Sequence, residues 1–137
     1  MAAALLLAGL WADERSEALE LVGRMAQALS AGNAADFLGP FDRAWPGYEQ
    51  LRTNVFALLE QAEVSSAVDM VEESGNADRR SLVLDWTLEI RSAVATGPLE
   101  RRREKVKMEL ARHGKTWCAV SLEPVSFFAP PGVATAP

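Results

Sequence analysis

The 137-residue sequence has one cysteine, Cys118, and one histidine, His113, and this scarcity removes several classes of chemistry. No intrachain disulfide can form, and zinc sites built from the usual cysteine and histidine sets are excluded. Cys118 falls within a strand-like segment and reads as a small core residue rather than a reactive thiol. His113 stands beside Gly114 in a hairpin-like turn with no apolar neighbours to exclude water, so it reads as an exposed turn residue. No Gly-x-Ser-x-Gly elbow presents a serine nucleophile, and no glycine-rich loop follows a strand to cradle phosphate. Basic residues are in the minority, with a net charge of −5 and a pI of about 4.9. That balance argues against nucleic acid or an anionic membrane as the main partner. The one basic run, Arg101 to Lys107, alternates as a strand does and is diluted by Glu100, Glu104 and Glu109. It is expected to form a solvated, ion-paired strand face.

What is present is a period of two. Leu82, Leu84, Trp86, Leu88 and Ile90 fall at every second position, with Val83, Asp85, Thr87 and Glu89 between them. That pattern buries one face of a strand. Val106, Met108 and Leu110 repeat it against Lys105, Lys107 and Glu109. A turn centred on Gly97, in Thr96-Gly97-Pro98, predicts Trp86 opposite Met108, Leu84 opposite Leu110, Leu88 opposite Val106 and Glu89 opposite Lys105. Upstream, Val64, Ser66, Val68 and Met70 would face Ile90, Leu88, Trp86 and Leu84 across a turn at Gly75 to Asp78. A last strand, Thr116 to Phe128, offers two apolar rows: Cys118, Val120 and Leu122, or Trp117 and Ala119. A bulge at Gly114 would decide which points inward.

Three helices precede this meander. The first, Asp13 to Ala31, carries Ala18, Val22, Met25 and Leu29 on one stripe and is stopped by Gly32. Asn33 caps a short second helix, Ala34 to Leu38, with Asp36 as a box-like partner. Pro46 opens the third, Tyr48 to Glu63, whose apolar stripe holds Leu51, Val55, Leu58, Leu59 and Ala62. Residues 1–12 form an apolar stretch too short to span a bilayer, resembling the end of a secretory signal peptide without its basic start. Export to a bacterial periplasm is the expectation. A cytoplasmic protein with an extra turn or two of helix is the alternative. One domain is expected over residues 13–128, and the proline-containing tail, 129–137, is expected to be disordered. Neither a metal nor a cofactor is expected.

The helix order, the segment FLGPFDRAWPGYEQLRTNVFALLEQAEV and the closing GKTWCAVSLEPVSFF resemble the nuclear transport factor 2-like superfamily, which includes ketosteroid isomerase and polyketide-cyclase-like proteins. The resemblance implies an α+β cystatin-like cone: three helices packed on a curved four-stranded antiparallel sheet, around an apolar pocket, often dimeric through the sheet. Phe37, Phe41, Trp45, Tyr48, Val68, Met70, Trp86 and Met108 would line that pocket around a small apolar ligand, or simply fill the core. An isomerase, dehydratase or cyclase of this kind needs a buried carboxylate base and an oxyanion donor. Asp42 as base and Tyr48 as donor are the available pair. The first helix has no tyrosine, and Asp69 and Asp85 are expected to point away from the apolar face, so a non-enzymatic binding or association module is the leading expectation.

Overall fold

In the computed structural model, which describes residues 2–92 and 99–131 and the side chains from Arg15 onward, the helices are α1 (Ala2–Ser30), α2 (Ala34–Leu38) and α3 (Tyr48–Gln61). The strands are β1 (Ala62–Gly75), β2 (Arg79–Ser92), β3 (Leu99–His113) and β4 (Thr116–Glu123), followed by a 3-10 turn, Val125–Phe128. The strands pair antiparallel in chain order, so three helices pack on a four-stranded meander.

Each helix end has a local cause. Gly32 adopts φ 72°, and the amides of Gly32 and Asn33 return to the carbonyls of Leu29 and Ala28 at 3.1 and 2.8 Å. That is the paired-carbonyl finish a left-handed glycine permits. Asn33 then caps α2: its Oδ1 accepts from the Asp36 amide at 3.0 Å and its Nδ2 donates to the Asp36 carboxylate at 2.8 Å. Upstream, α1 passes through Ala12 and Asp13 without a break. From Ala18 to Leu29 it buries one stripe against the sheet and α2, with Ala18, Val22, Met25 and Leu29 fully enclosed. Among the described residues no helix is long and apolar enough to cross a membrane.

The inward row of β2 is buried from Leu82 to Ile90, as its periodicity requires. β1 pairs with it in the expected register, Val64 with Ile90 through Met70 with Leu84. Beyond Met70 a bulge leaves Val71 without a partner and 48% exposed, which turns Glu73 toward the inward row. The β2–β3 register differs from expectation by four residues: Trp86 lies opposite Glu104, Leu84 opposite Val106 and Leu82 opposite Met108. Four is even, so every side chain keeps its face. A period of two specifies parity, but it does not distinguish registers that differ by an even step. The expected Thr96-Gly97-Pro98 turn lies outside the described residues.

On β4 the inward row begins with Trp117 and Ala119 and ends with Leu122, because Val120 is an extra residue opposite the Glu109–Leu110 step. The switch therefore comes from a bulge in mid-strand, while Gly114, at φ 66°, makes the tight β3–β4 turn. β4 ends at Glu123, short of the expected Phe128. Pro124 has no amide to give a sheet ladder, and the chain folds into the 3-10 turn instead.

Each edge strand is tied at one point to a neighbouring segment. Ser66 on β1 donates its amide to Ser30 Oγ of α1 at 2.9 Å. On β4, Ala119 donates to the Pro40 carbonyl and accepts from the Asp42 amide, each at 2.8 Å. The second contact fixes where the loop carrying Asp42 can lie.

Candidate functional site

The interior of the cone is an aromatic cluster. Phe37 from α2 meets Phe41 at 5.7 Å between ring centroids, Trp86 of β2 at 6.3 Å and Phe128 of the 3-10 turn at 5.3 Å. Phe128 also stands edge-on to Trp86 at 5.2 Å, and Trp45 stacks on Phe41 at 5.9 Å. Phe37, Trp86 and Phe128 have no exposed surface. The indole N–H of Trp86 donates to Ser66 Oγ at 2.7 Å, which settles the one polar atom that ring brings inside. Met108 is also enclosed in this core, and Val68 and Met70 of β1 and Trp45 pack against it half-buried. Tyr48 is buried at the start of α3.

Phe127 and Phe128 are missing from the sequence-derived set, because a strand drawn through to Phe128 hides their role. Pro124 was the available signal. The segment Val125–Pro131 is a strap held through its backbone. Asn54, itself positioned by Gln50 at 3.0 Å, donates to the Val125 carbonyl at 3.2 Å. Arg102 donates to the carbonyls of Phe127, Ala129 and Pro130 at 2.9, 2.7 and 3.4 Å, and also to Glu100. Arg102 therefore sits on the inward row, opposite Leu88, while its neighbours Arg101 and Arg103 face solvent. Ala129, Pro130 and Pro131 are thus described and partly buried at the start of the tail; residues 132–137 lie outside the described set.

The two residues available for acid–base work have different surroundings. The Asp42 carboxylate accepts from the Ala44 amide at 2.9 Å, closing a turn within its own loop, and the residue is partly exposed. Tyr48 borders a shallow cleft of about 180 Å³ shared by α2 and α3. None of the described clefts is bordered by both residues. Among the described residues no three His, Cys, Asp or Glu side chains are grouped to hold a metal. Cys118 lies on the outer face of β4, where partial burial and then the nearby Asp42 charge push its thiol pKa up, which disfavours the nucleophilic thiolate.

The outer face of the sheet is charged, with its basic residues concentrated on β3. β3 presents Arg101, Arg103, Lys105 and Lys107 together with Glu109, the charged residues of β1's row are Glu63, Asp69 and Glu72, and β2 mixes Asp85 and Glu89 with Arg79 and Arg91. Asp69 and Asp85 lie directly opposite one another, a like-charge pairing that Arg103 relieves by a two-pronged bond to Asp85 at 3.1 and 2.7 Å. The Arg103 hydrogen bond holds the Asp85 carboxyl below its ordinary 3.8. A depressed carboxyl contributes stability above the unfolded-state pKa and loses it as pH falls through the folded value. The expectation is that Arg103→Ala raises the Asp85 pKa in a carbon-13 NMR titration and flattens the acid limb of stability below the ordinary value; an unmoved Asp85 would show that the bond does not persist in solution.

No protein-family model matches the chain, and no curated protein sequence matches it. Solved structures do. A nuclear transport factor 2-like superfamily protein from Salmonella enterica superposes with a TM-score of 0.61 at 11% identity, over 89% of this chain and 96% of the other. A type 2 hexachlorocyclohexane dehydrochlorinase superposes with a TM-score of 0.64 at 14% identity, over 88% and 96%. A protein with a cystatin-like fold from Nostoc punctiforme superposes with a TM-score of 0.61 at 20% identity, over 79% and 86%. At these identities the likeness is one of fold.

Proposed function

We propose that this nuclear transport factor 2-like cone is a non-enzymatic association module that pairs with a second copy of itself through the outer face of its sheet. What supports the reading is that the partly exposed Asp42 carboxylate is engaged by the Ala44 amide while Tyr48 borders the cleft between α2 and α3, in a cone whose centre is packed with Phe37, Trp86 and Phe128. General acid–base catalysis needs both groups within hydrogen-bond reach of one substrate. The dehydrochlorinase shares the fold but lends no residue to this argument.

The outer face suits a twin. Strands about 4.8 Å apart and about 3.3 Å per residue give it an area on the order of 800 Å², the usual share of one partner in a stable interface. Its cationic β3 would oppose the partner's β3 if the two-fold axis crossed the strands. An axis along the strands, running over β2, instead sets β3 against the acidic β1 of the second copy, and those charges become complementary. Val83 and the 57% exposed Leu99 supply apolar contact on the same face. Sedimentation velocity should give a dimer that loosens with salt, and Lys105→Glu with Lys107→Glu should weaken it by at least about tenfold, the scale of a lost charge-assisted contact. A monomer at every salt concentration would end the reading.

A second reading, a small apolar ligand in the cone, is favoured by one observation. The central Phe128 arrives on a strap held by side-chain bonds to its backbone, so the ring could leave if the strap were lifted. Native mass spectrometry of protein purified gently from its own host separates the two readings, since a retained ligand adds mass to each subunit.

A further inference from the structure

The cleft between α2 and α3 has a composition unlike the rest of the surface. Tyr48, Arg52 and Phe56 follow one another at every fourth position along α3 and form one wall, while Ala35 of α2 and Gly39 just after it leave the facing wall low. Leu38 and Arg43 complete it, at a volume of about 180 Å³. The chain carries a net charge of −5, yet no acidic residue lines this cleft. Among the described residues Arg43 has no carboxylate partner. Arg52 has only Glu49, at 3.9 Å, with both side chains at least half exposed and so well screened. The Arg52 guanidinium lies 5.3 Å from the Phe56 ring centre, and Phe56 itself is 45% exposed. The cleft is therefore rich in donors and aromatic surface and has no side-chain acceptor from an acid.

The geometry points to a binding site for a small aromatic carboxylate. Two guanidinium groups, Arg52 from α3 and Arg43 from the loop before it, can receive one carboxylate by two-pronged hydrogen bonds. A ring attached to that carboxylate would lie against the exposed Phe56, on the far side of Arg52 from Tyr48, where aromatic pairs gain most in offset or edge contact. The volume is below the roughly 300–1,000 Å³ of drug-sized sites, which limits the guest to about one ring. This site is separate from the outer sheet face and from the interior of the cone, so it stands whether or not the chain pairs with itself.

The test is an amide NMR titration of the full chain with benzoate, with benzyl alcohol and benzylamine as ring-matched controls. Benzoate should give saturable shifts at Ala35, Gly39, Tyr48 and Arg52, and the neutral and cationic controls should bind at least about tenfold more weakly, as the loss of a charge-assisted bond requires. Arg43→Ala and Arg52→Ala, both at exposed positions, should each weaken benzoate by a similar factor while leaving the melting temperature within a few degrees. Shifts mapping elsewhere, benzyl alcohol binding as tightly as benzoate, an unchanged affinity in the double variant, or no saturable shift would each overturn the assignment.

Discussion

Phe128→Ala is expected to lower the unfolding free energy by about 3–5 kcal/mol, the usual range for an aromatic removed from a closed core. The ring has no exposed surface and touches Phe37, Trp86 and Phe127, with centroids 5.3, 5.2 and 5.1 Å away. Its loss forfeits transfer energy and leaves a void, because the strap cannot easily settle inward: Arg102 still holds the carbonyls on either side and Asn54 still holds Val125. Urea unfolding gives the magnitude. Benzene should then restore part of the lost stability in the variant and do little to the wild type, since an apolar void walled by aromatic and aliphatic side chains accepts a ring. A loss below about 1 kcal/mol would mean that the strap is detached in solution. Benzene stabilising the wild type to the same degree would mean that an apolar guest displaces Phe128 unaided, which favours the ligand-binding reading.

The sequence was most legible where a single physical rule decided the outcome. The inward rows of β2 and β3, the cap at Asn33 and the stop at Gly32 follow from period-two burial, side-chain capping and a left-handed glycine. The helical stripe placed Val22, Met25 and Leu29 in the core. What a local rule could not decide were quantities set by distant contacts. The β2–β3 pairing is one of several registers with the same parity, and the observed one sets Glu100, Arg102 and Glu104 opposite Ile90, Leu88 and Trp86. The reason for charge on that row emerges only when the strap is seen, because Arg102 faces inward to bind carbonyls more than twenty residues downstream. The inward row of β4 likewise depends on a bulge at Val120, which no turn residue announces.

The candidate site was legible in part for the same reason. Phe37, Phe41 and Trp86 were named together and do sit together, since aromatic residues at buried helix and strand positions have few other places to go. Tyr48 belongs to the same buried core and, from its place at the head of α3, also borders the cleft against α2. Asp42 was singled out for its place in sequence after the short helix. Its carboxylate is instead engaged by the Ala44 amide, the ordinary behaviour of an aspartate two residues before a free backbone donor.

The remaining large effect lies at the β1–β2 turn. Arg80 is on the inward row of β2 opposite Leu110, and it forms an ion pair with Glu73 in which both side chains are only 6% exposed. The bulge at Val71 makes this possible, since without it Glu73 would stand on the solvent face. Gly75, at φ 139°, lets the backbone pass so close that a Cβ there would lie 2.2 Å from the Arg79 carbonyl oxygen. Arg80 also donates to the Asn76 carbonyl at 3.0 Å. Removing Glu73 takes from this buried guanidinium the carboxylate that faces it, while its bond to the Asn76 carbonyl remains. Glu73→Ala is therefore expected to destabilise the fold by about 3–5 kcal/mol, whereas Glu73→Leu combined with Arg80→Met should lie near neutrality, because desolvating two charges costs about what their attraction returns. Urea unfolding of the two single variants and the double completes a cycle whose coupling should exceed about 1 kcal/mol. If Glu73→Ala costs less than that, water reaches Arg80 in solution and the pair contributes no more than one on the surface.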